Sequence, residues 1–104
     1  MSKRFSSIKV ISHRGYSSER PENTISSFDW SIESGFPYIE LDIHLTSDQV
    51  PIVMHDEYVD RTTNGFGAIR EFTLAQIKEL DAGSWFGPKF IGETVPTLEE
   101  VLVR

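Results

Sequence analysis

The stretch Tyr38-Ile39-Glu40-Leu41-Asp42-Ile43-His44-Leu45, followed shortly by Pro51-Ile52-Val53-Met54-His55-Asp56, decides how this chain reads. Apolar and ionisable residues alternate in the first segment, the period-two pattern of a strand with one oily and one reactive face. Glu40 and Asp42 therefore point the same way. Adjacent carboxylates repel unless a cation lies between them, and hard oxygen ligands suit magnesium or calcium.

Working outward, Ile8 to Ser12 reads as a short buried strand that ends at His13-Arg14-Gly15, where the glycine permits a tight exit into a polar loop. Asn23-Thr24 is a helix-start signal, and Ile25, Phe28 and Ile32 recur at helical spacing until Gly35. Strand, helix and strand in this order predict a right-handed parallel crossover, with reactive residues gathered at the strands' C-terminal ends. Thr46 to Val50 is too short for a helix, so the third strand arrives through a hairpin or an extended crossover. Either route unites the carboxylates with His55; a hairpin places Asp42 roughly opposite it.

Beyond His55 the character changes. Arg61-Thr62-Thr63-Asn64-Gly65-Phe66-Gly67 is turn chemistry with Asn64-Gly65 as a hairpin tip, and with no strand entering it or helix opening on it, it is no phosphate loop. Thr73 with Gln76 predicts a capping box for a short helix carrying Leu74, Ile77 and Leu80, ending before Gly83. Trp85, Phe86 and Phe90 follow among glycine and proline; packing on the core is preferred to a pocket wall. Thr97 with Glu100 predicts a second capping box, whose helix stops within two turns, as in a truncated sequence.

Composition bounds the rest. The 104 residues suit one small domain, and 38% hydrophobic with 12% aromatic content supplies a modest core. A formal charge of -6, from 10 basic and 16 acidic residues, argues against a nucleic-acid binder. There is no cysteine, hence no disulfide or thiolate metal site. Phe5-Ser6-Ser7-Ile8 after Lys3 and Arg4 is too short and polar for a signal-peptide core, and no long apolar run exists. The expectation is a soluble, cytoplasmic chain without a transmembrane segment.

The chemistry centres on the histidines. His13 and His55 each end an apolar strand, and near a carboxylate pair two imidazoles supply the acid and base that ester hydrolysis needs. His44, on the face of Glu40 and Asp42, reads as a supporting residue. Arg14 offers a positive fork suited to a phosphate oxygen. No nucleophile elbow is present. Together these residues point to phosphodiester hydrolysis, with a cation and Arg14 neutralising phosphate while the histidines move protons. The plainer alternative is a small acidic domain with a salt-bridged strand.

His13-Arg14-Gly15, Pro21-Glu22-Asn23-Thr24, Glu40-Leu41-Asp42, His55-Asp56 and Arg61-Thr62-Thr63-Asn64-Gly65 resemble, in order and spacing, the motifs of the glycerophosphodiester phosphodiesterase family. Asp81-Ala82-Gly83-Ser84-Trp85 and Val95-Pro96-Thr97-Leu98-Glu99-Glu100 extend the match. The resemblance implies an α/β fold, a TIM-type (β/α) barrel whose mouth binds one divalent cation, Mg2+ or Ca2+, and hydrolyses a small-molecule glycerophosphodiester to glycerol 3-phosphate and an alcohol. It also implies that His13 and His55 are the acid/base pair, that Arg14 contacts phosphate, that Glu40 and Asp42 bind the metal, and that Glu22 borders the mouth. Asp56 to Val95 corresponds to a small cap insertion.

Such a barrel takes roughly 250 residues. The expectation is therefore an N-terminal portion of the domain, residues 1 to 104, with about three strands and the cap. A further metal-binding glutamate and a phosphate-contacting lysine, which the family draws from later strands, have no counterpart here. The open barrel edge is a surface for self-association. The alternatives are a non-catalytic remnant serving as an interaction module, and another phospholipase-like phosphodiesterase.

Overall fold

The computed structural model describes residues 11–104. Strand β1 (Ile11–His13) pairs in parallel with β2 (Tyr38–Glu40), so that His13 lies beside Glu40, and helix α1 (Ile25–Glu33) makes the crossover. The predicted beginning of the first strand, Ile8 to Val10, lies outside the described residues. Thr24 caps α1 by accepting from Ser27 N at 3.3 Å and donates to Pro21 O at 2.7 Å. The helix closes at Gly35, whose φ of +82° costs glycine little.

The buried face of α1 differs from the apolar spacing. Ser27, Phe28 and Ser31 are buried, whereas Ile32 is 46% exposed. Ser31 Oγ lies 2.6 Å from Ser12 Oγ on β1, so small residues bring helix and strand into close approach and Ile32 is rotated away.

Tyr38 to Leu45 is not one strand. The chain breaks at Leu41-Asp42, and β3 (Ile43–Leu45) joins β4 (Pro51–Val53) in a separate antiparallel pair with Ile43 opposite Val53. The connection is thus the hairpin, turned at Thr46 to Val50. Thr46 N donates to Val50 O at 3.1 Å, Thr46 Oγ1 donates to Asp48 Oδ1 at 2.5 Å, and Gln49 takes a φ of +63°. The register sets Asp42 against Met54, whose N–H donates to Asp42 O at 2.9 Å, one residue short of His55.

The main core lies under the following segment. Ile52 and Met54 pack with Val59, Ile69, Ile77, Ala82 and Val95, and with the half-buried Phe72, Leu74 and Leu80. Helix α2 (Leu74–Lys78) and helix α3 (Leu98–Leu102) both open on the predicted capping boxes, Thr73 with Gln76 and Thr97 with Glu100. Asn64-Gly65 is not a hairpin tip: the bridge is Tyr58 to Ala68, the loop closes from Val59 N to Gly67 O at 3.0 Å, and Gly67 carries the positive φ, +116°. Asn64 is held instead by Asp81, donating N–H to Asp81 O at 3.1 Å and accepting Asp81 N–H on Oδ1 at 2.9 Å.

Trp85, Phe86 and Phe90 stack edge to face beside this core, with Trp85 41% exposed and Phe90 facing the Arg20 guanidinium, 5.4 Å from its ring centre. Glu93 Oε1 accepts from Ser26 N at 3.1 Å and so ties the segment to the start of α1. Among the described residues no helix is long and apolar enough to cross a membrane.

Two local constraints are open to test. A Cβ on Gly83 would lie 1.8 Å from Phe90 O, while one on Gly87 would meet nothing within 4 Å. Gly83→Ala is expected to lower the unfolding free energy by about 2 to 3 kcal/mol in urea titrations, and Gly87→Ala to change it by less than about 1 kcal/mol.

Asp81 accepts from Ser84 Oγ and from the N–H groups of Gly92, Ser84 and Gly83, which hold its carboxyl far below the usual carboxylate range. A folded-state value below the unfolded one adds stability that is present above about pH 4 and lost as pH falls further. The stability gap between Asp81→Asn and the parent chain is expected to be full at pH 7 and to shrink as pH falls below about 4 in urea titrations.

Candidate active site

Arg14 begins the site. It adopts a left-handed backbone, φ +55°, followed by Gly15 at +78°. Bonds on both sides hold this conformation, which is costly for a long side chain. Its N–H donates to Glu40 O at 2.9 Å and to Glu40 Oε2 at 3.2 Å, and its carbonyl accepts from Asn23 N at 2.8 Å and Ser27 Oγ at 3.2 Å. A Cβ on Gly15 would fall 2.2 Å from Ser27 Oγ, so only glycine lets α1 approach here.

This turn gathers the residues that end β1 and β2. His13 Nε2 lies 3.3 Å from Glu40 Oε2, with the imidazole 63% exposed. The Arg14 guanidinium faces two carboxylates, Nη1 at 3.4 Å from Glu22 Oε2 and Nε at 3.6 Å from Asp42 Oδ2. Asn23 Nδ2 donates to Asp42 Oδ2 at 3.2 Å. Glu40, at the end of β2, and Asp42, in the break that follows, thus meet the same arginine.

A second cluster begins at His55, just past β4. His55 Nδ1 lies 2.8 Å from Asp56 Oδ1. Arg61 donates to Asp56 through Nε, 2.9 Å from Oδ2, and Nη2, 3.0 Å from Oδ1. The same guanidinium donates to Glu22 through Nη1 at 3.0 Å and Nη2 at 2.9 Å. Two such forks are the strongest form of this pairing. Arg61, then His55, hold the Asp56 carboxyl down at about 2, so it is ionised at neutral pH. As a pure acceptor it requires the proton on His55 Nδ1 and leaves Nε2 open. His44 Nε2 supports the residue from behind, 2.9 Å from His55 O.

Glu22, only 10% exposed, joins the two clusters because both arginines pair with it. His13, Glu40, Arg14, Glu22, Arg61, Asp56 and His55 form one continuous series of polar contacts. Glu22, Asn23, Met54 and His55 also border a common cavity of about 10 Å³.

The donor set bears on the implied cation. Glu40 and Asp42 each engage protein groups through one oxygen, Oε2 and Oδ2, which leaves hard oxygen donors suited to magnesium or calcium. Asn23 Oδ1, buried beside them, finds no hydrogen-bond partner among the described residues. Among the described residues no three histidine or acidic side chains converge as a metal cluster. The carboxylates fit a hard cation as a partial set.

The structure brings His13 to Glu40, and Arg14 to Asp42 and Glu22. The roles of Asp56 and Arg61 were not read from the sequence, where the latter counted as turn chemistry. The available signal was the carboxylate directly following His55, with a cation five residues on.

The comparisons with known proteins follow this geometry. Residues 13–104 match the Glycerophosphoryl diester phosphodiesterase family. A glycerophosphodiester phosphodiesterase of Caldanaerobacter subterraneus subsp. tengcongensis is 58% identical over 92 residues, covering 88% of this chain and 38% of that protein. The crystal structure of a glycerophosphodiester phosphodiesterase from Agrobacterium tumefaciens superposes with a TM-score of 0.88 at 45% identity, over 90% of this chain and 41% of that one. An Oleispira antarctica phosphodiesterase, solved in complex with the product sn-glycerol-3-phosphate, gives 0.89 at 44% identity over 92% of this chain and 39% of that one. The chain therefore spans about two fifths of these relatives' length and shares the α/β architecture of their TIM-type barrels. On the matched motifs and the superposed backbone together, this chain belongs to the glycerophosphoryl diester phosphodiesterase family.

Proposed function

We propose that this sequence serves the metal-dependent hydrolysis of glycerophosphodiesters to glycerol 3-phosphate and an alcohol. The observation that carries the reading is the unbroken series of contacts from His13 through Glu40, Arg14, Glu22, Arg61 and Asp56 to His55. It connects two imidazoles from separate strand pairs, as acid/base chemistry on one phosphodiester demands. The glycerol 3-phosphate bound by the Oleispira relative supports the substrate class.

In this reading Arg14, whose contacts at 3.4 and 3.6 Å leave donors uncommitted, takes a non-bridging phosphate oxygen. Glu40 and Asp42 hold the divalent cation, magnesium or calcium, which supplies charge neutralisation at the phosphate. His13 and His55 form the acid/base pair. One accepts a proton from the attacking oxygen as it bonds to phosphorus. The other returns a proton to the departing alkoxide as its P–O bond breaks. The Asp56 contact, which leaves Nε2 of His55 open, suits that ring to proton acceptance. Residues 56 to 95 act as the cap beside this mouth, anchored by the core under β4 and by Glu93 on α1. The exposed Ile43, Leu45 and Leu102 provide apolar surface for self-association.

The test is release of glycerol 3-phosphate from glycerophosphocholine by this chain with magnesium or calcium, against a chelator control. Chelator-sensitive turnover is expected to fall by at least about a hundredfold in His13→Ala and in His55→Ala, with unfolding free energies within about 0.5 kcal/mol of the parent at these exposed positions. Parent-like rates in either variant would refute the acid/base assignment. Absence of turnover in the parent chain, with folded protein, would favour an interaction module.

A further inference from the structure

Arg61 is a cation in the mouth of a site that handles an anion, so the first expectation is a phosphate contact. Its surroundings argue otherwise. Of the five N–H donors of a guanidinium, Arg61 directs four at carboxylates at 2.9 to 3.0 Å: two at Asp56 and two at Glu22. These contacts hold its proton more tightly than in a free arginine, Glu22 first and Asp56 second. A guanidinium filled on two edges has one donor left.

What the fork does to Asp56 is geometric. Nε and Nη2 grip both carboxylate oxygens, which fixes the carboxylate plane. Oδ1 is then directed at His55 Nδ1, 2.8 Å away. His55 is 44% exposed and lies beyond the last paired residue of β4, so no ladder fixes its ring. On the other edge, Glu22 holds the guanidinium itself and is half-buried against Arg14. We infer that Arg61 is a positioning residue: held on one edge by Glu22 and gripping Asp56 with the other, it keeps His55 in the Nδ1–H tautomer, with Nε2 aimed at the reacting phosphodiester, and it does not bind phosphate. The kinetic part of this inference rests on the phosphodiesterase reading; the tautomer part does not.

The experiment is a long-range proton–nitrogen correlation spectrum of the histidine rings in the 104-residue chain, at a pH where His55 is neutral. His55 is assigned by its loss in His55→Ala. The parent chain is expected to show the Nδ1–H form of His55. Arg61→Ala is expected to lose that preference, with the amide spectrum otherwise retained. Arg61→Lys keeps the charge without the fork and is expected to recover it only in part; it also decides the question if Arg61→Ala does not fold. A parent chain in the Nε2–H form, or an unchanged Nδ1–H preference in both variants, would overturn the inference.

Where the chain turns over glycerophosphocholine, Arg61→Lys is expected to lower kcat by tenfold to a hundredfold with KM within about twofold. A raised KM at constant kcat would instead make Arg61 a phosphate ligand and overturn the inference. If the parent chain shows no turnover, the phosphodiesterase reading fails for this length, and the ring spectrum still decides the role of Arg61.

Discussion

Four carboxylates, Glu22, Glu40, Asp42 and Asp56, are drawn into one region of a chain whose formal charge is already -6, and the site exists because two arginines separate them. Two like charges about 4 Å apart repel by about 4 kcal/mol at an effective dielectric of 20. A cluster of four would splay its loops apart. Arg14 stands between Glu22 and Asp42, Arg61 between Glu22 and Asp56, and Glu22 is common to both. The interleaving of signs makes the acidic residues a scaffold rather than a source of strain.

This electrostatic tie matters because the backbone does not supply one. β1 with β2, and β3 with β4, form two separate two-stranded sheets, and His13 follows one while His55 follows the other. Among the described residues the Leu41-Asp42 link joins them, and the bond from Met54 N to Asp42 O extends the β3–β4 pair toward it. Two-stranded pairs are marginal alone. The apolar share of the work falls to the segment after His55, whose Val59, Ile69, Ile77 and Ala82 bury Ile52 and Met54. That segment is therefore part of the folding unit of the hairpin.

The legible parts of this structure were those written in local chemistry. Both capping boxes are satisfied within four residues of chain, so their signals depend on nothing distant. The crossover β1-α1-β2 likewise follows from its own periodicity. Readings failed where a partner far along the chain decides. Ile32 has helical spacing, yet Ser12 meets Ser31 and turns the adjoining face, Ser27, Phe28 and Ser31, inward. Asn64-Gly65 has hairpin composition, yet Asp81 takes the asparagine. Tyr38 to Leu45 alternates perfectly, but its ends pair with different strands, and a sheet cannot follow both without a break. The placement of His13 and Glu40 side by side at the ends of β1 and β2 was legible in the strand pattern. Arg61 was not, because its meaning lies in Glu22, 39 positions away.

The contrast between the two arginines carries the logic of the site further. Arg14 has a strained backbone and a loosely engaged side chain, with contacts of 3.4 and 3.6 Å and a buried Nε that finds no hydrogen bond among the described residues. Arg61 is the reverse, four of its five guanidinium donors taken by two forks. A guanidinium whose donors are already matched gains little from an arriving phosphate, since each new bond must displace a charge-assisted one. One whose donors are buried and unmatched gains the full interaction, because the desolvation cost was met when the chain folded. Residue type and location in the mouth do not distinguish these two cations, whereas their hydrogen-bond inventories do. On that physical ground an arriving anion would gain more from Arg14, beside Asp42 and Glu22, than from Arg61.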